Sequence, residues 1–152
     1  MKTELQVLDC LKDLIATDLA NFLDSSGETE QLSFGADNIK IDFPDVDKMK
    51  KSTMFFIQPD YESIEDLSMN SDIATLHTTL FIFCKAAPSE ILIRRVFNYY
   101  TAFYTLLRSN QTLNGFIDFS KVTDMDYYPA VAASSTTTAI EVKLQLQWAK
   151  QF

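Results

Sequence analysis

The sequence is poor in the residues from which many active sites are built. It contains three glycines, two cysteines and one histidine among 152 residues. Glycines this few and this scattered exclude a glycine-rich loop that cradles phosphate groups. Two cysteines and one histidine, far apart in the sequence, argue against a zinc site, which takes three or four such ligands. Cys10 and Cys84 lie in apolar segments, where we predict buried free thiols.

Long apolar runs are absent as well. No run approaches the roughly 18 residues that a membrane-spanning helix requires. The first residues, MKTELQVLDCLKDL, carry acidic side chains among the apolar ones, so we expect no signal peptide. The sequence therefore predicts a cytoplasmic protein, or a component of a particle assembled in the cytoplasm, without a membrane partner.

Positive charge is scarce. The chain has 13 Lys and Arg against 21 Asp and Glu, a net charge of −8, which argues against general nucleic-acid binding. Residues 1–72 hold 16 acids and 6 bases, whereas residues 73–152 hold 5 acids and 7 bases. This asymmetry fits either a molecule with two unlike surfaces or a set of solvated acidic loops.

Apolar residues, in contrast, are plentiful, and their spacing predicts secondary structure. A hydrophobic content of 47% and an aromatic content of 12% suit one core in a single domain, residues 1–152. Helical spacing predicts helices over residues 4–23 and 89–109, the first with a capping box of Thr3 and Gln6. Apolar runs and alternation predict strands over residues 32–43, 53–58, 73–87, 116–122 and 138–149.

These elements follow one another in the order α-β-β-β-α-β-β. We predict an α+β fold in which two helices pack on a mostly antiparallel sheet of about five strands. The pair Asn114-Gly115 predicts a tight turn before the fourth strand. Two connections are long: residues 59–72, PDYESIEDLSMNSD, which we predict to form an acidic loop, and residues 123–137, TDMDYYPAVAASSTT.

The predicted helix 89–109 is apolar over more than half of its circumference. Two apolar stripes, beginning at Leu92 and Ile93, both keep helical spacing. A sheet covers one side of such a helix, so we expect a second partner, either helix 4–23 or another subunit. All three arginines of the chain lie on this helix and fit either a solvated face or ion pairs between subunits. The candidates for a subunit interface are Arg94, Arg95, Arg108, Phe97, Tyr100 and Tyr104.

One tripeptide, Glu141-Val142-Lys143, has the E-x-K spelling with which metal-dependent nucleases hold an ion and activate water. In the strand 138–149, however, apolar and polar residues alternate strictly, which is typical of a half-buried strand. The acids that follow a proline, Asp45 and Asp60, lie in predicted polar loops. We therefore interpret Glu141 and Lys143 as part of the solvated side of a sheet.

The other reactive side chains also fit structural roles. His77 falls among threonine and apolar residues of the strand 73–87, and we interpret it as a structural histidine. Asp42, Asp45 and Asp47 lack the glycine and the distal glutamate of an EF-hand loop. We therefore predict no catalytic residue, no metal site and no cofactor.

From residue 53 to residue 149, the layout resembles that of phage tail terminator proteins, also called neck or tail-completion proteins. A long strand leads into an amphipathic helix that is opened by Pro88-Ser89. A turn, a strand and an extended loop follow, and the chain closes on the alternating strand AIEVKLQLQW. The leading helix, residues 4–23, also fits this layout.

The resemblance implies a structural virion protein of the phage-infected cell, without catalysis and without specific nucleic-acid binding. Subunits of this family form a homo-oligomeric ring, usually a hexamer, which caps the tail tube, contacts the head-connector proteins and leaves a channel for DNA. Such a ring needs head-to-tail contacts between unlike surfaces, to which the charge asymmetry is suited. A negative channel wall would also repel DNA.

Two other classes of function stay open. One is a small binding or adaptor module, which would hold a ligand or a protein partner between helix 89–109 and the sheet, at Tyr99, Tyr100 and Tyr104. The other is a hydrolase or nuclease that uses Glu141 and Lys143. A ligand found by thermal shift would favour the first, and metal-dependent cleavage lost in Glu141→Ala would favour the second.

Overall fold

The computed structural model describes residues 1–26, 28, 32–129 and 137–152. In these residues two α-helices pack on a five-stranded sheet, so the predicted α+β class and the order α-β-β-β-α-β-β are confirmed. The elements are α1 (Glu4–Asp18), β1 (Ile39–Ile41), β2 (Thr53–Ser68), β3 (Ser71–Lys85), α2 (Ser89–Ser109), β4 (Phe119–Tyr128) and β5 (Thr137–Gln151).

Both helices begin where the sequence predicts. Thr3 accepts a hydrogen bond from the backbone N–H of Gln6 at 3.2 Å, and the Gln6 side chain accepts one from the Thr3 N–H at 3.0 Å, which completes the predicted capping box. The α-helical part of the predicted helix 4–23 ends at Asp18, and a 3₁₀ turn, Leu19–Phe22, continues it. Neither described helix combines the length and the apolar surface that a membrane crossing demands.

The strands lie in the order β1-β2-β3-β5-β4, with β1 parallel to β2 and the other three pairs antiparallel. Both helices share one continuous core with a single face of this sheet. The alternation of β5 places Val142, Leu144 and Trp148 in that core and their neighbours on the opposite side, as predicted. We call this opposite side the open face.

The prediction of an acidic loop at residues 59–72 is wrong. These residues continue β2 to Ser68 and begin β3 at Ser71, after a turn of two residues. Pairing with β3 supplies the backbone hydrogen bonds of this stretch, so it forms a strand without an apolar face of its own.

The outer strands also differ from their predicted bounds. β1 contains only Ile39–Ile41 of the predicted strand 32–43, because a 3₁₀ turn, Ala36–Asn38, precedes it. β4 begins at Phe119 rather than at residue 116 and runs to Tyr128, since pairing with β5 continues past the predicted end. The first part of the predicted connection 123–137 is therefore strand, and residues 130–136 lie outside the described residues.

α2 contacts other elements on both of its apolar sides. The stripe that begins at Leu92 lies in the core, and α1 with its 3₁₀ turn packs beside it, so the first of the two predicted partners is present. The second stripe is only partly covered. Phe97 lies against Tyr127 of β4 with ring centroids 5.2 Å apart, while Ile93 and Tyr104 are each 42% exposed.

Candidate functional site

The open face carries a network of polar side chains around Lys143. Its Nζ lies 2.9 Å from Glu141 Oε1 and 3.8 Å from Asp60 Oδ2, and it donates a hydrogen bond to Thr79 Oγ1 at 2.8 Å. Thr79 in turn donates to Asp60 Oδ2 at 2.6 Å, and the Tyr128 hydroxyl donates to Glu141 Oε2 at 3.0 Å. The network therefore links four strands, β2, β3, β5 and β4.

Lys143 is shared by the two carboxylates of this network, which leaves one negative charge in excess. The hydrogen bond to Glu141 raises the pKa of Lys143. Burial opposes the ionisation of Glu141, but the hydrogen bonds from Lys143 and Tyr128 outweigh burial and hold the pKa of Glu141 below its ordinary value. Asp60, which the sequence placed in a loop, lies beside them at an irregularity of β2. The ammonium group of Lys143 thus occupies the space between the two carboxylates, where a metal-dependent nuclease would hold its metal ion.

Within the described part of the chain, no three His, Cys, Asp or Glu side chains are grouped closely enough to hold a metal ion. His77 stacks on Tyr61 with ring centroids 4.1 Å apart, and its Nε2 lies 3.4 Å from Ser63 Oγ. Cys84 is buried, and burial raises the pKa of its thiol to about 12. Cys10 is also a free thiol but only half-buried, so the prediction for it is wrong in this respect.

A second lysine of β5 holds two carboxylates on the helix-covered side of the sheet. Lys150 Nζ pairs with Glu4 of α1 and, at 3.2 Å, with Glu62 of β2. The hydrogen bond with Lys150 lowers the pKa of Glu4, whereas burial raises the pKa of Glu62. This cluster ties the start of α1 to the middle of β2.

Beyond Ile57, β2 forms an exposed border of the sheet. β1 pairs with β2 only as far as Ile57, and no described strand pairs with that side of β2 further along. We call residues 58–72 the acidic edge, because they contain five acids and no Lys or Arg. Large apolar side chains are also exposed there, with Tyr61 at 61%, Leu67 at 60% and Met69 at 99%. An edge of this kind is a template for pairing with another chain.

A pocket with the opposite charge lies where β2 begins. The segment between β1 and β2 folds back over the open face, where Met49 packs with Met54 and Phe56. Between this segment and β1 is a cavity of about 740 Å³, which we call the basic pocket. Its charged lining residues are Lys12, Lys40, Lys48, Lys50, Lys51, Asp37, Asp42 and Asp45. Five lysines against three aspartates leave an excess of positive charge in a chain whose net charge is −8.

The predicted interface arginines differ in their surroundings. Arg95 Nε lies 3.1 Å from Glu28 Oε2 of the same chain, with the two side chains only 17% and 9% exposed. Arg94 and Arg108 are exposed on α2. The acidic first half of the chain therefore does supply a partner for an arginine, but for Arg95 this pair lies within the subunit.

The three tyrosines that would line a ligand pocket do not face one cavity. Tyr99 is buried, with its ring 6.0 Å from that of Phe55 and its hydroxyl donating to the Ser33 carbonyl at 3.2 Å. Tyr100 is half-buried and Tyr104 exposed, with ring centroids 6.1 Å apart on another side of α2. These two residues and Phe97 stay candidates for a subunit interface.

No protein-family model matches this sequence, and no curated protein is similar to it at a significant level. The two surfaces that stand out, the acidic edge and the basic pocket, were not predicted as sites. The available signal for the pocket was the cluster of lysines in residues 45–52, DVDKMKKS, in an otherwise acidic half of the chain.

Proposed function

We propose that the chain is a non-catalytic structural subunit of a phage tail, and that copies of it form the ring that terminates the tail tube and joins it to the head. The layout that resembles tail terminators rests on the order α-β-β-β-α-β-β, and the described elements follow this order.

The observation that carries the proposal is the uncovered edge of β2. Gln58–Ser68 leaves eleven residues of strand without a described neighbour on one side. Monomeric proteins protect such an edge with charged side chains and irregularities, and β2 has both, because its register shifts between Pro59 and Tyr61 and between Asp66 and Ser68. Between these irregularities, residues 61–66 form six regularly paired residues whose other side has no described neighbour. Ile64 and Leu67 are 49% and 60% exposed along it, and a neighbouring subunit would remove this apolar surface from water. The acids between them restrict pairing to a partner with basic groups.

The overall charge is compatible with a ring through which DNA passes. DNA binds proteins without sequence preference mainly through contacts of Lys and Arg with phosphates. A subunit with a net charge of −8 contributes few such contacts, so DNA would move past it without being retained.

The proposal is tested first by the mass and shape of the particle in solution. We expect light scattering after gel filtration to give a mass near six subunits, and negative-stain electron microscopy to show closed rings with an axial opening. A particle that stays monomeric at millimolar concentration and low salt would contradict the proposed ring.

A second measurement separates a tail terminator from other ring proteins. Antibodies against the chain should label the head-proximal end of tails in lysates of the cells that produce it. Labelling along the whole tail, on the capsid or on no particle would contradict the place proposed here, even if rings form.

A further inference from the structure

The acidic edge carries more negative charge than its own subunit neutralises. Asp60 and Glu62 are held by Lys143 and Lys150 of β5. The remaining acids lie towards the end of β2 and the start of β3, and none of them forms an ion pair with a described residue. They are Glu65, Asp66 and Asp72, of which Glu65 and Asp66 are exposed.

The basic pocket carries an excess of positive charge, which is complementary to the acidic edge. Residues 1–72 contain six Lys and Arg, and five of these line the pocket. Lys48 is paired with Asp45 at 3.7 Å. Lys40, Lys50 and Lys51 are exposed and form no ion pair with the described part of the chain.

The acids Glu65 and Asp66 are too far from the pocket to reach it within one subunit. Met54 lines the pocket, and Glu65 follows eleven residues later in the same strand. At about 3.3 Å per residue, the two positions are about 35 Å apart along β2. Glu65 and Asp66 can therefore reach a basic pocket only on another molecule.

We propose that this other molecule is a second copy of the chain, and that the acidic edge of one subunit docks against the basic pocket of the next. Glu65 and Asp66, which point to opposite faces of β2, then reach Lys50 and Lys51 from the two sides of the strand edge. Leu67 contacts Phe43, an exposed apolar side chain of the pocket lining. The contact joins unlike surfaces, as a head-to-tail ring requires. It rests on the proposed function, because it assigns the contact between neighbouring subunits of that ring.

A copy of the chain satisfies both surfaces at once. A free anion or a nucleic acid would neutralise the lysines but leave the acidic edge and its exposed apolar side chains uncovered. Charge complementarity between the two surfaces also predicts an assembly that weakens with salt, because the groups are exposed and screened beyond about 10 Å at 0.1 M ionic strength.

Reciprocal charge reversal tests the contact. One variant carries Glu65→Lys and Asp66→Lys, and the other carries Lys50→Glu and Lys51→Glu. Each variant alone brings like charges together, so we expect the apparent Kd of assembly to rise by about 10- to 100-fold. In an equimolar mixture every edge of one variant meets an oppositely charged pocket of the other, so we expect the oligomer to return. The measurement is light scattering of each variant and of the mixture.

A matched control reverses two acids elsewhere. Asp9→Lys with Asp13→Lys changes the net charge as the edge variant does, on exposed positions of α1, and should keep the wild-type mass. Circular dichroism and urea unfolding verify that each variant folds, and recovery in the mixture itself requires folded subunits.

The outcomes separate this contact from the proposed ring. A ring that persists in both variants overturns the contact and leaves the ring. A dimer or an open chain that responds to both reversals and recovers on mixing keeps the contact and contradicts the ring. A wild-type monomer contradicts both. In a last outcome, the mass stays unchanged in both variants, and the wild type binds phosphate or DNA while only the pocket variant does not. This result overturns the contact and shows that the pocket binds an anion instead.

Discussion

The two halves of β2 both form backbone hydrogen bonds with β3, but they differ in how deeply their side chains are buried. Thr53–Ile57 is buried at every position, whereas no residue of the remaining stretch to Ser68 is buried. Both halves pair with β3, in which Leu76 and Leu80 remain in the core. Hydrogen bonding to a buried neighbour therefore forms the outer half, and apolar burial forms only the inner half. The inner half stabilises the fold, and the outer half presents a surface.

Truncation of one aromatic ring in each half should give the largest difference between them. Phe55 is fully buried, with its ring centroid 4.6 Å from that of Phe34. We expect Phe55→Ala to lower the free energy of unfolding by about 3–5 kcal/mol, because it leaves a cavity in the core. Tyr61→Ala, at a position 61% exposed, should cost under about 1 kcal/mol. Urea unfolding measures both, and equal losses would contradict the division of β2.

The same contrast between inward and outward positions holds for two adjacent arginines of α2. Arg95→Ala leaves the carboxylate of Glu28, only 9% exposed, without its partner, so we expect a loss of about 1–3 kcal/mol. Arg94→Ala, at an exposed position, should change the stability of the subunit by about 0.5 kcal/mol or less.

The oligomer mass should distinguish the two arginines in the opposite way from stability, because Arg94 is exposed and Arg95 is paired within its own subunit. If Arg94 forms ion pairs between subunits, Arg94→Glu should lower the oligomer mass at low salt while urea unfolding of the dissociated subunit stays unchanged. An unaltered oligomer would remove Arg94 from the candidate interface and leave the stability argument for Arg95 intact.

The sequence predicted the parts of the fold that bury an apolar face. Residues 89–109 and 138–149 alternate or repeat apolar positions because one side of each element packs in the core. The capping box of Thr3 and Gln6 needs only local contacts, and it forms as predicted. Asn114 and Gly115 both have positive φ, 61° and 82°, as the predicted turn requires.

The sequence did not predict the outer half of β2 or most of β4. The outer half of β2 has no continuous apolar side. In β4 the irregularity between Val122 and Asp124 interrupts the alternation, so that Val122, Met125 and Tyr127 pack on the core without an unbroken period of two. Asp60 belongs to the polar stretch 59–72, whose composition predicts a loop, and only the paired strands bring it to 3.8 Å from Lys143, 83 positions later in the chain. Clusters formed by pairing of distant strands leave no local signal, and the polar composition of residues 59–72 predicts a loop where the structure has a strand.

The smallest expected effects concern the pH dependence of the free energy of unfolding. They come from Glu141 and Glu62, two carboxylates on opposite sides of the sheet, and their contributions change with pH in opposite directions. The pKa of Glu141 is held below its ordinary value, so its ionised form stabilises the fold above the pKa of the unfolded chain, and this contribution is lost as the pH falls. Burial raises the pKa of Glu62, so its protonated form stabilises the fold at acid pH, and that contribution is lost as the pH rises through the folded pKa.

Glu141→Gln and Glu62→Gln should therefore respond oppositely to acid. Relative to the wild type, the destabilisation by Glu141→Gln should shrink between about pH 7 and about pH 4, whereas that by Glu62→Gln should grow. Each change should stay below about 1 kcal/mol, because both side chains are partly solvated. Urea unfolding of the three proteins across this range measures the two slopes. Slopes of the same sign would show that the pKa values of Glu141 and Glu62 are shifted in the same direction, which would contradict the opposite shifts inferred from their surroundings.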